Sequence, residues 1–551
     1  MLSLLIFLPF IAIFIIAALP LRRYYLHKVI TLVATSIQLL VSVIIYLTYN
    51  PSKPLQFVEK FDWITLHLGS MGTLSAEYFV GIDGLNVSMV LLSSIVMFTG
   101  TLASWNIKEN RKGYFSLYLL LCSTIPGCFV ALDFLLFFIF FEFMLLPMYF
   151  LIGLWGGERR EYASIKFFLY TLAGSIFILL IMIALYISVV DPVKSSLQAG
   201  ITEVGIFKQQ LAAGNINRSD LVHTFNMIYM KDSSNFIPGS FLHESSKATL
   251  FGLSVRLVAF LAIIIGFAIK LPAVPFHTWL PDAHVEAPTP ISVVLAGVML
   301  KIGGYGMMRI GYSIFPEGGI QFAWLIGLVG VISIVYGSLN ALAMKDLKKM
   351  IAYSSIAHMG FVMLGLASLT VEGMNGAMYQ MFSHGIIASL LFLITGVLYD
   401  RTHDRVIENY RGLATKMPVY TAVVIVAFFA SFGLPGFSGF IAELLILLGA
   451  FNSAFVNGLL SKWLAIIATS GILIGAVYYL WTLQRMFFGK WWIKTGITWK
   501  EGLYDLDARE LLMMVPLVIL AIAFGLFPSI LLNSIAPAMK ELTEFVLASA
   551  S

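Results

Sequence analysis

Leu261-Ala-Ile-Ile-Ile-Gly-Phe-Ala-Ile-Lys270-Leu-Pro272-Ala-Val-Pro275 is the stretch on which the fold turns. It closes an apolar run from about residue 252, of the length that crosses a bilayer, roughly 20 residues. The run then meets a lysine and two prolines. Proline removes a backbone donor and disfavours helix for the residue before it. Within a membrane such a break survives only where protein or water satisfies the freed backbone groups, and in transporters it marks the ion path. A second break, Gly433-Leu434-Pro435-Gly436, interrupts the apolar run 418–452.

Outward from these two breaks the whole chain reads as membrane. Of 551 residues, 59% are hydrophobic and only 11% charged, against roughly 25% charged in soluble proteins, and the mean hydropathy is +0.91. This composition excludes a cytosolic enzyme, a nucleic-acid binder and a disordered scaffold. Apolar segments at 2–19, 29–48, 83–103, 114–131, 133–154, 165–190, 252–271, 288–313, 322–343, 350–368, 374–398, 418–452, 461–483 and 510–533 predict an all-α polytopic membrane protein of about 14 transmembrane helices. They are called spans 1 to 14 below. Span 1 has no basic residue before it, and Arg22-Arg23 follow it, the wrong order for a cleaved signal; it reads as a retained helix. Cys122 and Cys128 share one apolar stretch, which leaves no disulfide framework and no Cys-based metal site.

Basic residues set the topology, since cytoplasmic loops carry the excess of Lys and Arg. Of 34 such residues, 21 fall in loops after odd-numbered spans, among them Arg22, Arg111, Arg159, Lys348, Arg405, Arg485 and Lys500. Short loops after even-numbered spans hold few. The pattern predicts both termini on the external side. The net charge of +5 then says nothing about an anionic partner. Residues 191–251 are the one polar excursion and read as a solvated external loop, with a partner-binding insertion as the alternative.

Against this background, mid-membrane charges stand out. A charged residue at a helix centre costs roughly 2.5–3.5 kcal/mol on insertion scales. Glu142 lies midway along span 5, Lys270 at the break of span 7, Lys301 mid-span 8, His358 in span 10, His384 in span 11, and Glu443 just after the break of span 12. Taken singly, Lys270 could snorkel to an interface and each histidine could be a packed core residue. Arg309, near the end of span 8, reads as an interfacial anchor. Together, two acids, two lysines and two histidines point to a proton relay, because chains of such groups with water carry protons. Sodium would favour oxygen ligands.

The motifs also carry a family resemblance. Lys270-Leu-Pro-Ala-Val-Pro-Phe-His277-Thr-Trp279-Leu-Pro281-Asp282-Ala-His284 resembles the signature of the antiporter-like subunits of respiratory complex I. So do Phe141-Glu142-Phe-Met-Leu-Leu-Pro147, Tyr78-Phe-Val-Gly-Ile-Asp83, Asp346-Leu-Lys348 through His358-Met-Gly360, Phe382-Ser-His384-Gly, and Gly433-Leu-Pro-Gly-Phe-Ser-Gly-Phe-Ile-Ala-Glu443. Glu443, where L-type and N-type relatives carry lysine, and an end soon after span 14 resemble the M-type branch. Loop 191–251 departs from it by its length.

The resemblance implies two inverted five-helix repeats, helices 4–8 and 9–13, with helices 7 and 12 broken. It divides the chain into residues 1–112, the first repeat at 113–313, the second at 314–485, and a cytoplasmic loop with helix 14 at 486–551. It also implies a proton channel in an NADH:quinone oxidoreductase. Glu142 and Lys270 would form an ion pair that tunes the lysine, Lys301 would connect the half-channels, His358 and His384 would extend the polar axis, and Glu443 would end it. NAD, FMN, iron–sulfur clusters and quinone would belong to other subunits. No Gly-x-Gly-x-x-Gly precedes a helix here, and no Cys or His cluster has metal spacing. Implied partners are the L-type and N-type subunits, small membrane subunits and the lipid bilayer, with no nucleic acid. The implied location is a bacterial plasma membrane. The rival readings are an Mrp-type cation/proton antiporter subunit, and a haem protein using His358 and His384 as axial ligands.

Overall fold

A computed structural model describes residues 1–67, 69, 72–494 and 503–549; Lys500, counted above among the inside basic residues, lies outside them. Among the described residues, 12 helices are long and apolar enough to cross a membrane. Leu2–Ala18 supplies span 1, Val255–Lys270 the first half of span 7, and Pro418–Ser431 the first half of span 12. The 14 segments read from the sequence are thereby accounted for. Several helices start on side-chain caps that satisfy otherwise unpaired amides. Asp133 accepts from Leu136 N at 3.0 Å, Asp346 from Lys349 N at 3.0 Å, and Asp507 with Glu510 forms a reciprocal capping box.

The two breaks fall where the prolines and glycines place them. Span 7 stops at Lys270 and resumes as Trp279–Glu286. Its freed groups find partners inside the protein: the Trp279 indole donates to Ile269 O at 2.9 Å, and Val274 N donates to Ser333 Oγ at 3.0 Å. Span 12 stops at Ser431 and resumes as Ser438–Val456. Gly433 there has φ +75°, and a Cβ on it would lie 2.4 Å from a Glu443 carboxylate oxygen. Only glycine therefore lets the turn pass this close to the acid.

Three features escaped the sequence reading. Residues Gln56–His67 (β1) and Thr73–Ile82 (β2) form an antiparallel hairpin. Residues 191–251 are more than a solvated loop. They fold into short helices and a strand, Val222–Thr224 (β3), that pairs in parallel with Thr73–Ser75, over a small apolar cluster of Val190, Phe207, Leu211 and Leu221. Lys194 of this cap binds Asp62 and, at 2.7 Å, the buried Glu77 of the hairpin. Burial pulls the Lys194 pKa down, but its bonds to Asp62 and Glu77 outweigh that and hold it above the usual lysine range. Finally, span 14 ends at Leu526, and a separate amphipathic helix, Ser529–Ala548, follows. Its Glu541 pairs with Lys231 of the cap at 3.1 Å, and the N-terminal amine pairs with Glu59 of the hairpin at 2.6 Å. The hairpin, the cap and both chain ends thus share one face of the molecule.

Candidate functional site

Span 8 (Thr289–Tyr312) is built to present Lys301. Two stretches of it, Leu295–Met299 and Met307–Tyr312, are wound as π-helix, a form frequent at functional sites because it loosens the backbone ladder. The wider turn exposes the Ala296 carbonyl, and the Lys301 ammonium donates to it. Glycines bring the partner helix close: a Cβ on Gly385 of span 11 would lie 2.7 Å from Gly297 O of span 8. That approach places Lys301 Nζ 2.8 Å from His384 Nδ1. Lys301 is fully buried.

From His384 the polar line continues through ring proximity. The His384 and His358 ring centroids are 5.2 Å apart. His358 Nε2 lies 2.9 Å from the Ser431 carbonyl, which ends the first half of span 12, and 3.6 Å from Glu443 Oε1. A carbonyl only accepts, so His358 carries a proton on Nε2. Its Nδ1 has no hydrogen-bond partner. Ser431 Oγ donates to the Tyr479 hydroxyl at 2.7 Å, which donates to Ser354 Oγ at 3.0 Å. Ser383 and Ser438 join span 11 to the second half of span 12 at 2.7 Å. Four of the six predicted residues, Lys301, His384, His358 and Glu443, therefore form one buried row across spans 8, 11, 10 and 12. Two histidine rings this close, with nitrogens committed to Lys301 and Ser431, have no room for a porphyrin between them.

Glu142 and Lys270 stand apart from that row, and the expected contact ion pair between them is not formed. Glu142 sits where span 5 kinks between Phe134–Phe143 and Leu145–Trp155, beside Ser175. Lys270 is 2% exposed, so it does not snorkel. Its ammonium is held over the rings of Phe141 and Phe167, 5.1 and 5.6 Å from their centroids. Neither Glu142 Oε1 nor Lys270 Nζ has a hydrogen-bond partner. Each still senses the other's charge, so the pair is coupled through space rather than by contact.

Some polar groups were misplaced or missed by sequence reasoning. Lys348, counted with the inside loops, is buried and donates to Ala287 O at 2.5 Å. His284 is fully buried, stacks on Phe392 at 4.3 Å, and lies within electrostatic reach of both Lys301 and Lys348. It stands in the 270–284 motif, on the helix Trp279–Glu286 where span 7 resumes, beyond the apolar segment that sequence reading counts as the span. Arg309, read as an interfacial anchor, instead pairs with Asp83 at 2.6 Å and bonds the Tyr305 hydroxyl at 3.0 Å.

Comparison with known proteins fits this geometry. The chain matches the family described as NADH:quinone oxidoreductase/Mrp antiporter, TM, over residues 131–197 and 216–475. It is similar to NADH-quinone oxidoreductase subunit M of Rhodobacter capsulatus, 38% identical over 94% of this chain and 90% of that one. Among solved structures it resembles a chain of respiratory complex I from Thermus thermophilus with bound NADH. There the TM-score is 0.77 and the identity 27%, with 99% of this chain and 100% of that one covered. A chain of the Mrp complex from Dietzia sp. DQ12-45-1b gives the same TM-score at 19% identity, over 99% of both chains, and shows the shared fold alone. The chain belongs to the NADH:quinone oxidoreductase/Mrp antiporter membrane family, within its subunit M branch.

Proposed function

We propose that this chain is one proton channel of a redox-driven NADH:quinone oxidoreductase, with the row Lys301–His384–His358–Glu443 as its conducting axis. The observation that carries the reading is the closeness of these four groups in one buried row. Lys301 gives a proton to His384 Nδ1. His358 accepts at its unpartnered Nδ1 and releases the proton it held on Nε2, which faces Glu443. Each transfer leaves the imidazole neutral but with its proton on Nδ1 instead of Nε2, so the row resets once each ring turns back to its starting tautomer. Glu142 modulates Lys270 by its charge. Domain boundaries at 112, 313 and 485 belong to this reading, with the two blocks 113–313 and 314–485 each containing one broken helix.

NADH oxidation and quinone reduction are assigned to other subunits, together with NAD, FMN and iron–sulfur clusters. The partners are L-type and N-type antiporter-like subunits, small membrane subunits and the bilayer. The location is a bacterial plasma membrane with both termini outside. An antiporter outside a redox complex would use the same row; identity with subunit M over most of the chain favours the redox complex. The test is Lys301→Met in the assembled complex, reconstituted in vesicles. Protons translocated per NADH oxidised fall by the share this channel carries, since losing a proton-transfer group slows its step by roughly 10²–10⁴-fold. Unchanged stoichiometry overturns the axis.

A further inference from the structure

On the face opposite the cap, the end of span 13 meets a short two-stranded antiparallel sheet formed by Tyr410–Arg411 and Trp492–Ile493. Between them lies an open cavity of about 760 Å³. Arg411, Arg485 and Lys490 supply its positive charge, and Trp481, Trp491 and Trp492 its aromatic walls. Among the described residues, the one acid in the lining, Glu408, is already engaged by Arg485 at 3.1 Å and Lys345 at 3.8 Å. An excess of positive charge therefore remains. Arg485 is further held over the Trp481 ring at 4.6 Å. Two glycines in the left-handed region, Gly412 and Gly489, let the chain turn closely beside these strands; a Cβ on Gly489 would lie 3.0 Å from Arg411 Nε.

What leads into this cavity decides its ligand. Leu473, Val477 and Leu480 lie on one side of the helix Lys462–Phe487 and are 69%, 52% and 45% exposed. That exposed apolar stripe ends at Trp481 and Arg485. A ligand that follows it is apolar along its length and anionic at its head. Basic pockets beside tryptophans at the membrane boundary suit phosphate headgroups. We propose that this cavity binds the phosphate headgroup of an anionic phospholipid, whose acyl chains lie along Leu473, Val477 and Leu480.

The test uses the assembled complex in nanodiscs containing a phosphatidylglycerol with a photoreactive acyl chain. The matching phosphatidylcholine serves as control. Each basic residue near an anionic headgroup contributes about fivefold in binding. Labelling of the peptide Lys462–Phe487 is expected to be at least about fivefold stronger with phosphatidylglycerol than with phosphatidylcholine. Lys490→Gln, which removes no ion pair given by the structure, lowers phosphatidylglycerol labelling by about fivefold while NADH oxidation is unchanged. The triple variant Arg411→Gln, Arg485→Gln, Lys490→Gln abolishes the preference. Equal labelling by both lipids, or labelling indifferent to Lys490→Gln, overturns the site. Loss of labelling on adding millimolar glycerol phosphate assigns the cavity to a soluble phosphate and overturns the lipid. Photo-crosslinking from position 481 to a neighbouring subunit, with no lipid adduct, overturns it as well.

Discussion

Glu142 and Lys270 illustrate why proximity in sequence logic is not contact in space. The resemblance implied an ion pair, and the half-buried Glu142 does lie within electrostatic reach of the buried Lys270, yet aromatic rings rather than the carboxylate meet the ammonium. Sequence could identify the two charges because apolar residues flank each of them. It could not give their separation, which depends on the kink after Phe143 and the rotamers on either side. If the coupling is through space, its loss is shared by the two residues. Glu142→Gln and Lys270→Met should each lower coupled proton translocation. The double variant should then do no worse than the poorer single variant, since groups that act as a unit are not additive. Reconstituted vesicles and a pH-sensitive dye measure this. Losses that multiply independently would show that the two residues act separately.

Among the elements, the helices were legible and the sheet was not. Bilayer thickness fixes helix length, so a hydropathy window finds each span. The prolines and paired glycines of spans 7 and 12 likewise announce their own breaks. β1 and β2 are too polar and too short for that window, and β3 lies about 150 residues from the strand it joins. Pairing over that distance leaves no local periodicity to read. The helix Ser529–Ala548 was partly absorbed into span 14 because Phe527 and Pro528, which end that span, sit inside one apolar run. The row of site residues depends on close helix approach, which glycines permit. Gly385→Ala puts a methyl 2.7 Å from Gly297 O and 2.6 Å from a Leu92 methyl. Overpacking of this kind costs about 1–3 kcal/mol, and it pries His384 from Lys301. The expected outcome is a lower melting temperature of the assembled complex and reduced proton translocation. Gly205→Ala, in the cap and open to solvent-side space, is the matched control and should change neither.

At the scale of the whole molecule, the basic loops and the packing of the polar segments agree on sidedness. Charge counting puts the basic loops inside. The structure, through strand pairing and individual contacts rather than a count of basic residues, gathers the hairpin, the cap and both chain ends on one face, and leaves Lys345, Arg405 and Arg485 with the cavity of the opposite face. The one native complication for a labelling experiment is absent from the surface, since Cys122 and Cys128 are both fully buried. Single cysteines therefore report cleanly. Lys247→Cys, on the exposed part of the cap, should react with a membrane-impermeant maleimide in right-side-out vesicles and be protected in inside-out ones. Lys345→Cys, whose side chain is 74% exposed, should behave in the opposite way. Reaction of both positions from the same side would break the alternation of basic loops. Reaction of each from the side opposite to that stated would keep the fold but turn it over in the membrane. In that case Glu443 and the cap would face compartments opposite to those proposed, and the direction of the proton path would have to be reversed with them.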